Sequence, residues 1–215
     1  MNKKYISEFI GSFFLVATVV GSGIMGVNMS AGNNAVALLG NTIATGAILF
    51  VLIKMFGSIS GAHFNPAVSI VFFLRKELDF KNLLIYMAYQ MFGGILAVIT
   101  IHYIFEINIF QISTNIRGEI PLLISEIIAT TGLILTILFV KKHDEASVAT
   151  AVALFITAGY WFTSSTSFAN PMVTISRIFT DTFTGISPAS LPYFLTGQVI
   201  AIFISHFIYK NFYEN

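Results

Sequence analysis

The stretch "SFANPMVTISR", Ser167 to Arg177, decides the reading of this chain. It lies among apolar residues, yet it carries an Asn-Pro pair and ends in arginine. A second Asn-Pro sits upstream in "SGAHFNPAVS", Ser60 to Ser69. Each pair opens a short apolar run, 65–75 and 170–180. Neither run reaches the roughly 20 residues that a bilayer crossing needs. Proline is tolerated at a first helical position, because its missing N–H would have had no partner there. Asparagine is a good cap just before it. Each Asn-Pro therefore predicts a half-helix that starts inside apolar surroundings, reached by a Gly/Ser/Thr-rich connector. Non-helical backbone at that depth is stable only where protein buries it or a wet cavity borders it.

The rest of the chain supplies those surroundings. Its apolar fraction is 56%, its charged fraction 10% and its mean hydropathy +0.84. A soluble domain carries about 25% charged residues, so this chain could not cover a water-facing surface and belongs in a membrane. A net charge of +1 argues against nucleic acid as a partner. The absence of cysteine removes disulfides, thiolate metal sites and thiol catalysis. No nucleophile–base pair and no metal-ligand cluster appears, so neither an enzyme nor a cofactor is expected. The N-terminal run "MNKKYISEFIGSFFLVATVV" has no small-residue cleavage site and reads as a retained first span.

Six stretches are long and apolar enough to span: 6–27, 35–57, 82–105, 120–140, 146–164 and 192–212. With two re-entrant half-spans, Lys3, Lys4, Arg75, Lys76, Lys81, Lys141, Lys142 and Lys210 fall on one side, and Arg117 and Arg177 on the other. The positive-inside rule then puts both termini in the cytoplasm, across a cell (inner) membrane. Lys54 is expected to snorkel at the end of span two.

The chain also repeats itself. "ISEFIG" around Glu8 matches "ISEIIA" around Glu126. Asn170-Pro171 follows Asn65-Pro66 by 105 residues, and Gln198 follows Gln90 by 108. Three anchors in one order describe a single channel domain, 1–215, made of two halves, about 1–105 and 119–213. Three spans per half is an odd number, so the second half is inverted. Inverted repeats whose broken helices meet at the midplane are a known way to build a transport path.

On these motifs the chain resembles the aquaporin and aquaglyceroporin (major intrinsic protein) family. "SGAHFNPAVS" is similar to that family's first Asn-Pro-Ala motif almost letter for letter, and a glutamate opens each half as the family pattern has it. The resemblance implies an all-α membrane protein of six tilted helices plus two half-helices, one pore per subunit and a homotetramer. It implies that the motif residues Asn65, Pro66, Ala67, Asn170, Pro171 and Met172 form the pore waist. Asn65 and Asn170 would turn their amides into the pore, and Glu8 and Glu126 would accept backbone N–H bonds from the re-entrant loops. Two half-helix dipoles aimed at one point repel cations.

The resemblance also places a selectivity filter at Thr45, Ala158, Ser167 and Val173, with Gly159 the alternative to Ala158. Water-selective members place Phe, His and Arg in the filter, and glycerol facilitators Trp, Phe and Arg. Here the arginine is replaced by Val173, which predicts a wide filter that lacks a guanidinium. Met172, where alanine is usual, would either narrow the waist or pack against the opposite motif. His63 is expected at the cytoplasmic approach. Arg177, one helical turn past Val173, is expected in the outer vestibule or snorkelling. His102 and His206 are expected to be packed or interfacial.

The segment "YWFTSSTSFANP" with the later "TDTFTGISPA" resembles a bacterial subgroup often encoded beside arsenic-resistance functions. That implies a passive channel for small neutral solutes: metalloid hydroxides of the arsenite type, glycerol and some water. Two other readings remain open at this stage. One is a water and glycerol channel with no metalloid role. The other is a secondary transporter that couples protons through Glu8 or Glu126, since intramembrane carboxylates are functional candidates by default.

Overall fold

A computed structural model describes residues 2–213. Eight α-helices are present among them: α1 (Lys3–Met29), α2 (Asn34–Ser60), α3 (Pro66–Leu74), α4 (Phe80–Ile104), α5 (Ile120–His143), α6 (Val148–Phe162), α7 (Pro171–Ser176) and α8 (Leu191–Tyr213). Three 3₁₀ turns, Glu145–Ser147, Arg177–Phe179 and Pro188–Ser190, adjoin α6, α7 and α8. Six of the helices, two of them counted with their leading 3₁₀ turns, are long and apolar enough to cross a membrane. The two short helices start at the prolines of the Asn-Pro pairs. The second one differs from the expected 170–180. Its α-helical part stops at Ser176 because the next carbonyls serve other partners. Arg177 O accepts from Ile186 N at 3.1 Å, and Ile178 O accepts from Ser113 N at 2.8 Å.

The helices pack in two matching sets. α1 lies against α2 and α4, α5 lies against α6 and α8, and α2 meets α6 across the molecule. α3 and α7 wedge between the sets and touch each other. Within a bilayer no hydrophobic force draws helices together, so close backbone approach through small residues takes its place. Gly93 on α4 faces the carbonyl of Phe9, and Gly197 on α8 faces that of Leu123. A Cβ at either glycine would overlap that carbonyl. The outward faces are apolar and exposed, as at Ile43, Phe92, Phe203 and Phe207, which suits lipid contact.

The connection between α4 and α5 lies over the segment that follows α7. His102 is fully buried, with Nδ1 at 2.9 Å from Ile109 O and Nε2 at 2.8 Å from Thr180 Oγ1. Asp181 Oδ1 accepts from Thr114 N at 2.8 Å, and Asn115 Nδ2 donates to Gly185 O at 3.1 Å. Arg117 N donates to Ser190 Oγ at 2.9 Å. This strap fixes the chain around Thr184. The Asp181 carboxyl is held below its ordinary value, chiefly by the Thr114 N–H.

Two expectations follow. Gly93→Leu or Gly197→Leu should force α1 from α4, or α5 from α8, with a destabilisation of about 1–3 kcal/mol. The yield of monodisperse protein after detergent extraction should fall, while the same change at Gly40, where a Cβ meets nothing within 4 Å, should be tolerated. A depressed folded value means that the strap's stability from Asp181 is complete above the unfolded aspartate value. It is lost as pH falls through the folded value. Hydrogen exchange at the Thr114 amide should accelerate over that acidic window in the parent, and should be fast and pH-independent (beyond intrinsic chemistry) in Asp181→Ala.

Candidate functional site

The two connectors into α3 and α7 are built alike. Ala62 and Phe64 have positive φ (51° and 46°), and so do their counterparts Ser167 and Ala169 (51° and 47°). Such conformations cost an L-residue roughly 1–2 kcal/mol, so something must hold them. A buried carboxylate does so in each half. Glu8 accepts from His63 N (3.0 Å) and Phe64 N (2.7 Å), and from Ser60 Oγ (2.7 Å) and Gln90 Nε2 (2.8 Å). Glu126 accepts from Phe168 N (3.0 Å), Ala169 N (2.9 Å) and Gln198 Nε2 (2.7 Å). Each glutamine also donates to a hydroxyl, Ser69 Oγ or Thr174 Oγ1, which itself donates to the motif asparagine's carbonyl.

So held, the two asparagines meet. Asn65 Oδ1 caps α3 by accepting from Ala67 N at 2.9 Å, and its Nδ2 donates to Ala169 O at 2.7 Å. Asn170 Oδ1 caps α7 by accepting from Met172 N at 3.0 Å, and its Nδ2 donates to Phe64 O at 2.8 Å. Each amide thus serves its own helix and the opposite loop. An amide carries two N–H groups, so each Nδ2 keeps one donor beyond this bond. Both asparagines border a cavity of about 480 Å³.

That cavity runs from a lysine end, with Lys54, Lys141, Glu145 and Ala146, to an arginine end at Arg177. Lys54 does not merely snorkel: its Nζ donates to Ala146 O at 2.9 Å and ties α2 to the turn before α6. His63 lines the cavity, with Nδ1 at 3.0 Å from Ser69 Oγ. Ser69 gives its hydrogen to Asn65 O, so Nδ1 carries the imidazole hydrogen and Nε2 is left as the acceptor. Thr45, Ser167 and Val173 line the wall beyond the asparagines. Ser167 Oγ is buried with no partner among the described residues.

Four expected roles differ in the structure. Ala158 is exposed and does not border the cavity. The lining face of α6 runs through Val152, Ile156 and Tyr160, and a residue two places from Ile156 points away from it. The neighbouring Gly159 is the buried one, and Ser167 packs directly on it. Met172 does not narrow the waist. Its side chain is fully buried on α4, at Gly94, with Sδ 3.8 Å from Ser176 Oγ. Pro66, Ala67 and Pro171 likewise support the helix starts without lining the cavity.

Arg177, finally, does not snorkel. It is 4% exposed and closes the arginine end. Its Nε donates to Thr184 O, and its guanidinium lies 3.5 Å from the centre of the Phe168 ring.

Tyr160 and Phe168 are among the lining residues that sequence reasoning missed. Tyr160 OH is 3.1 Å from Thr45 Oγ1, and Phe168 stacks on Phe194 at 4.5 Å. The spacing of Val152, Ile156 and Tyr160 was the available signal for the first. Phe168 had none, because its direction is set by the positive-φ loop.

Residues 1–147 match the family described as "Major intrinsic protein". Aquaglyceroporin AqpS of Rhizobium meliloti (strain 1021) is 44% identical over 200 residues, which cover 93% of this chain and 85% of that protein. The chain belongs to the major intrinsic protein family. The putative aquaporin NIP4-1 of Arabidopsis thaliana is 31% identical over 148 residues. Those residues are 68% of this chain but 51% of the plant protein, so the match spans about half the relative's length. The X-ray structure of the aquaglyceroporin from Plasmodium falciparum superposes with a TM-score of 0.74 at 23% identity. It covers 99% of this chain and 95% of that one, and the two share the fold.

Within this major intrinsic protein, the carboxylates make a direct prediction. A glutamine at position 8 or 126 replaces one acceptor oxygen with a donor facing other donors. A buried N–H left unpaired costs about 1–3 kcal/mol. Glu8→Gln and Glu126→Gln should each lower the yield of folded protein on size-exclusion chromatography. Protein that does fold should keep its solute flux, with no new or lost dependence on a proton gradient.

Proposed function

We propose that this chain is a passive pore for small uncharged hydroxylated solutes: metalloid hydroxides of the arsenite type, glycerol and some water. The observation that carries this reading is the wall of the cavity beyond the two asparagines. Thr45 and Val173 offer hydroxyl and methyl groups there, and no carboxylate borders that part of the wall among the described residues. A neutral polyol or trihydroxide needs donors and acceptors around its rim and tolerates methyl groups between them. The asparagine amides supply the first, and Val173 supplies the second. The name of the Rhizobium meliloti relative, an aquaglyceroporin, favours the same solute class. Val173 in place of a guanidinium leaves room for solutes wider than water.

The lysine end is assigned to the cytoplasm, with both termini there, in the cell membrane. Four copies would assemble as a homotetramer, each with its own pore. The coupled-transporter reading is disfavoured by the placement of its carboxylates. Glu8 and Glu126 are fully buried, saturated by hydrogen bonds and absent from the cavity wall.

The test is uptake into proteoliposomes, followed by light scattering, with water, glycerol, urea and arsenite compared side by side. Flux should rise linearly with the solute gradient and ignore a proton gradient. Val173→Phe should cut glycerol and arsenite flux relative to water by at least about tenfold, the lower end of what one methylene is worth in a tight site. Val173→Ala should shift the ratio the other way. A glycerol-to-water ratio that both variants leave at the parent's value would move the constriction away from position 173.

A further inference from the structure

Arg177 does more than close one end of the cavity. A second, smaller pocket lies beyond it, lined by Asn34, Asn41, Asn115, Arg117 and Thr166 among others. Arg177 is the one residue among those described that borders both spaces. A solute that passes from one to the other must pass its guanidinium. The position is fixed at two points. Nε is committed to the carbonyl of Thr184, and the flat face rests on Phe168. Thr184 in turn sits inside the strap secured by His102, Asn115 and Asp181. The terminal nitrogens have no protein acceptor among the described residues, so the donors of the fork remain free for a solute.

Arg177 forms no ion pair among the described residues. No Asp or Glu lines the outer pocket, and Glu145, the one carboxylate that borders the main cavity, stands at the opposite end. The charged groups that act on it include Arg117, of the same sign, and the buried Glu126, of the opposite sign. Arg117 lies 5.5 Å from the same Phe168 ring and donates from Nη2 to Ser164 O at 2.9 Å. Val173, one turn deeper, contributes no charge.

We propose that Arg177 is the specificity-determining residue of this pore: a guanidinium, brought in one helical turn beyond Val173, that excludes cations and donates hydrogen bonds to the oxygen of a neutral hydroxylated solute. The proposal rests on the channel reading above and adds to it. The width set at position 173 and the charge set at position 177 are separate, so the pore is wide and cation-tight together. An arginine side chain is long enough to act from the next turn, which rises about 5.4 Å. The Thr184 carbonyl turns it back toward the axis instead of letting it reach outward to water.

The chain has no cysteine, which allows a clean test. In proteoliposomes the parent should pass glycerol while holding a pH gradient and excluding sodium. A parent that passes glycerol but dissipates the pH gradient would overturn the proposal and leave the channel reading intact. A parent that passes no neutral solute would overturn the channel reading instead. Arg177→Cys should still pass glycerol, with proton leak raised about tenfold or more, since a fixed charge in a low-dielectric pore repels cations strongly. Aminoethyl methanethiosulfonate, which adds a cation to that thiol, should bring the leak back toward the parent's. The hydroxyethyl reagent, of similar size and neutral, should not.

Equal effects of the two reagents, or a cysteine variant as tight as the parent, would overturn the proposal. Arg177→Lys guards against misfolding of the cysteine variant. It keeps the charge and loses the fork, so it should remain cation-tight while glycerol flux falls relative to water. A lysine variant that leaks protons would count against the charge at this position as the barrier.

Discussion

Two buried carboxylates hold this structure together. Glu8 and Glu126 lie in different helices and do not border the cavity, yet both connectors into the half-helices depend on them. Each accepts two consecutive backbone N–H groups from a connector that has no helix or sheet to satisfy it. In a bilayer those donors have no water to turn to. A carboxylate is the strongest acceptor available for them, and a second polar side chain, Gln90 or Gln198, shares each one. The penalty of a positive φ at Phe64 and Ala169 is offset in the same bonds. That conformation turns the carbonyls of those two residues toward the opposite half, where Asn170 and Asn65 donate to them. The halves are therefore latched at the centre by bonds that exist only when both connectors are bent.

Much of this was legible in the sequence. An Asn-Pro at the head of a run too short to cross predicts a capped half-helix from backbone chemistry alone. The repeated Glu, Asn-Pro and Gln anchors gave the pairing of α1 to α4 with α5 to α8. What could not be read was direction in the irregular segments. Phe168 and Ser167 owe their placement to successive unusual dihedrals, which no periodic rule describes.

Ala158 failed for a different reason. Counting back from a motif carries an error of one residue for every irregular loop crossed, and one residue on a helix is about 100°. The period of α6 itself was the safer guide, because Val152, Ile156 and Tyr160 share a face whatever the loop does. Met172 could have faced either way by its size alone. Gly94 decided it by leaving a hole on α4 that the thioether fills. For Arg177 the snorkelling alternative failed, although charged residues near a membrane surface commonly reach for water. The Thr184 carbonyl, seven residues later in sequence, offers a partner that only the folded strap brings near.

On the proposed function, the charge pattern along the path makes neutrality, more than size, the property such a pore would select. Lys54 and Lys141 stand at one end and Arg177 at the other, with Arg117 beyond it. Two half-helix N-termini supply positive partial charge in the middle. Apart from Glu145 at the lysine end, a cation meets the same sign along this path among the described residues. An anion is drawn to either mouth, but it must then shed its water between walls such as Leu49, Val68, Ile156 and Val173. Removing an ion from water costs several kcal/mol even after the surroundings relax. The scattered amide and hydroxyl donors beside those walls are too few to replace a full hydration shell. A neutral molecule with several hydroxyls faces neither obstacle. On the proposed reading it would shed a few hydrogen bonds and regain them one at a time, at His63, at the paired asparagines, at Thr45 and at the fork of Arg177.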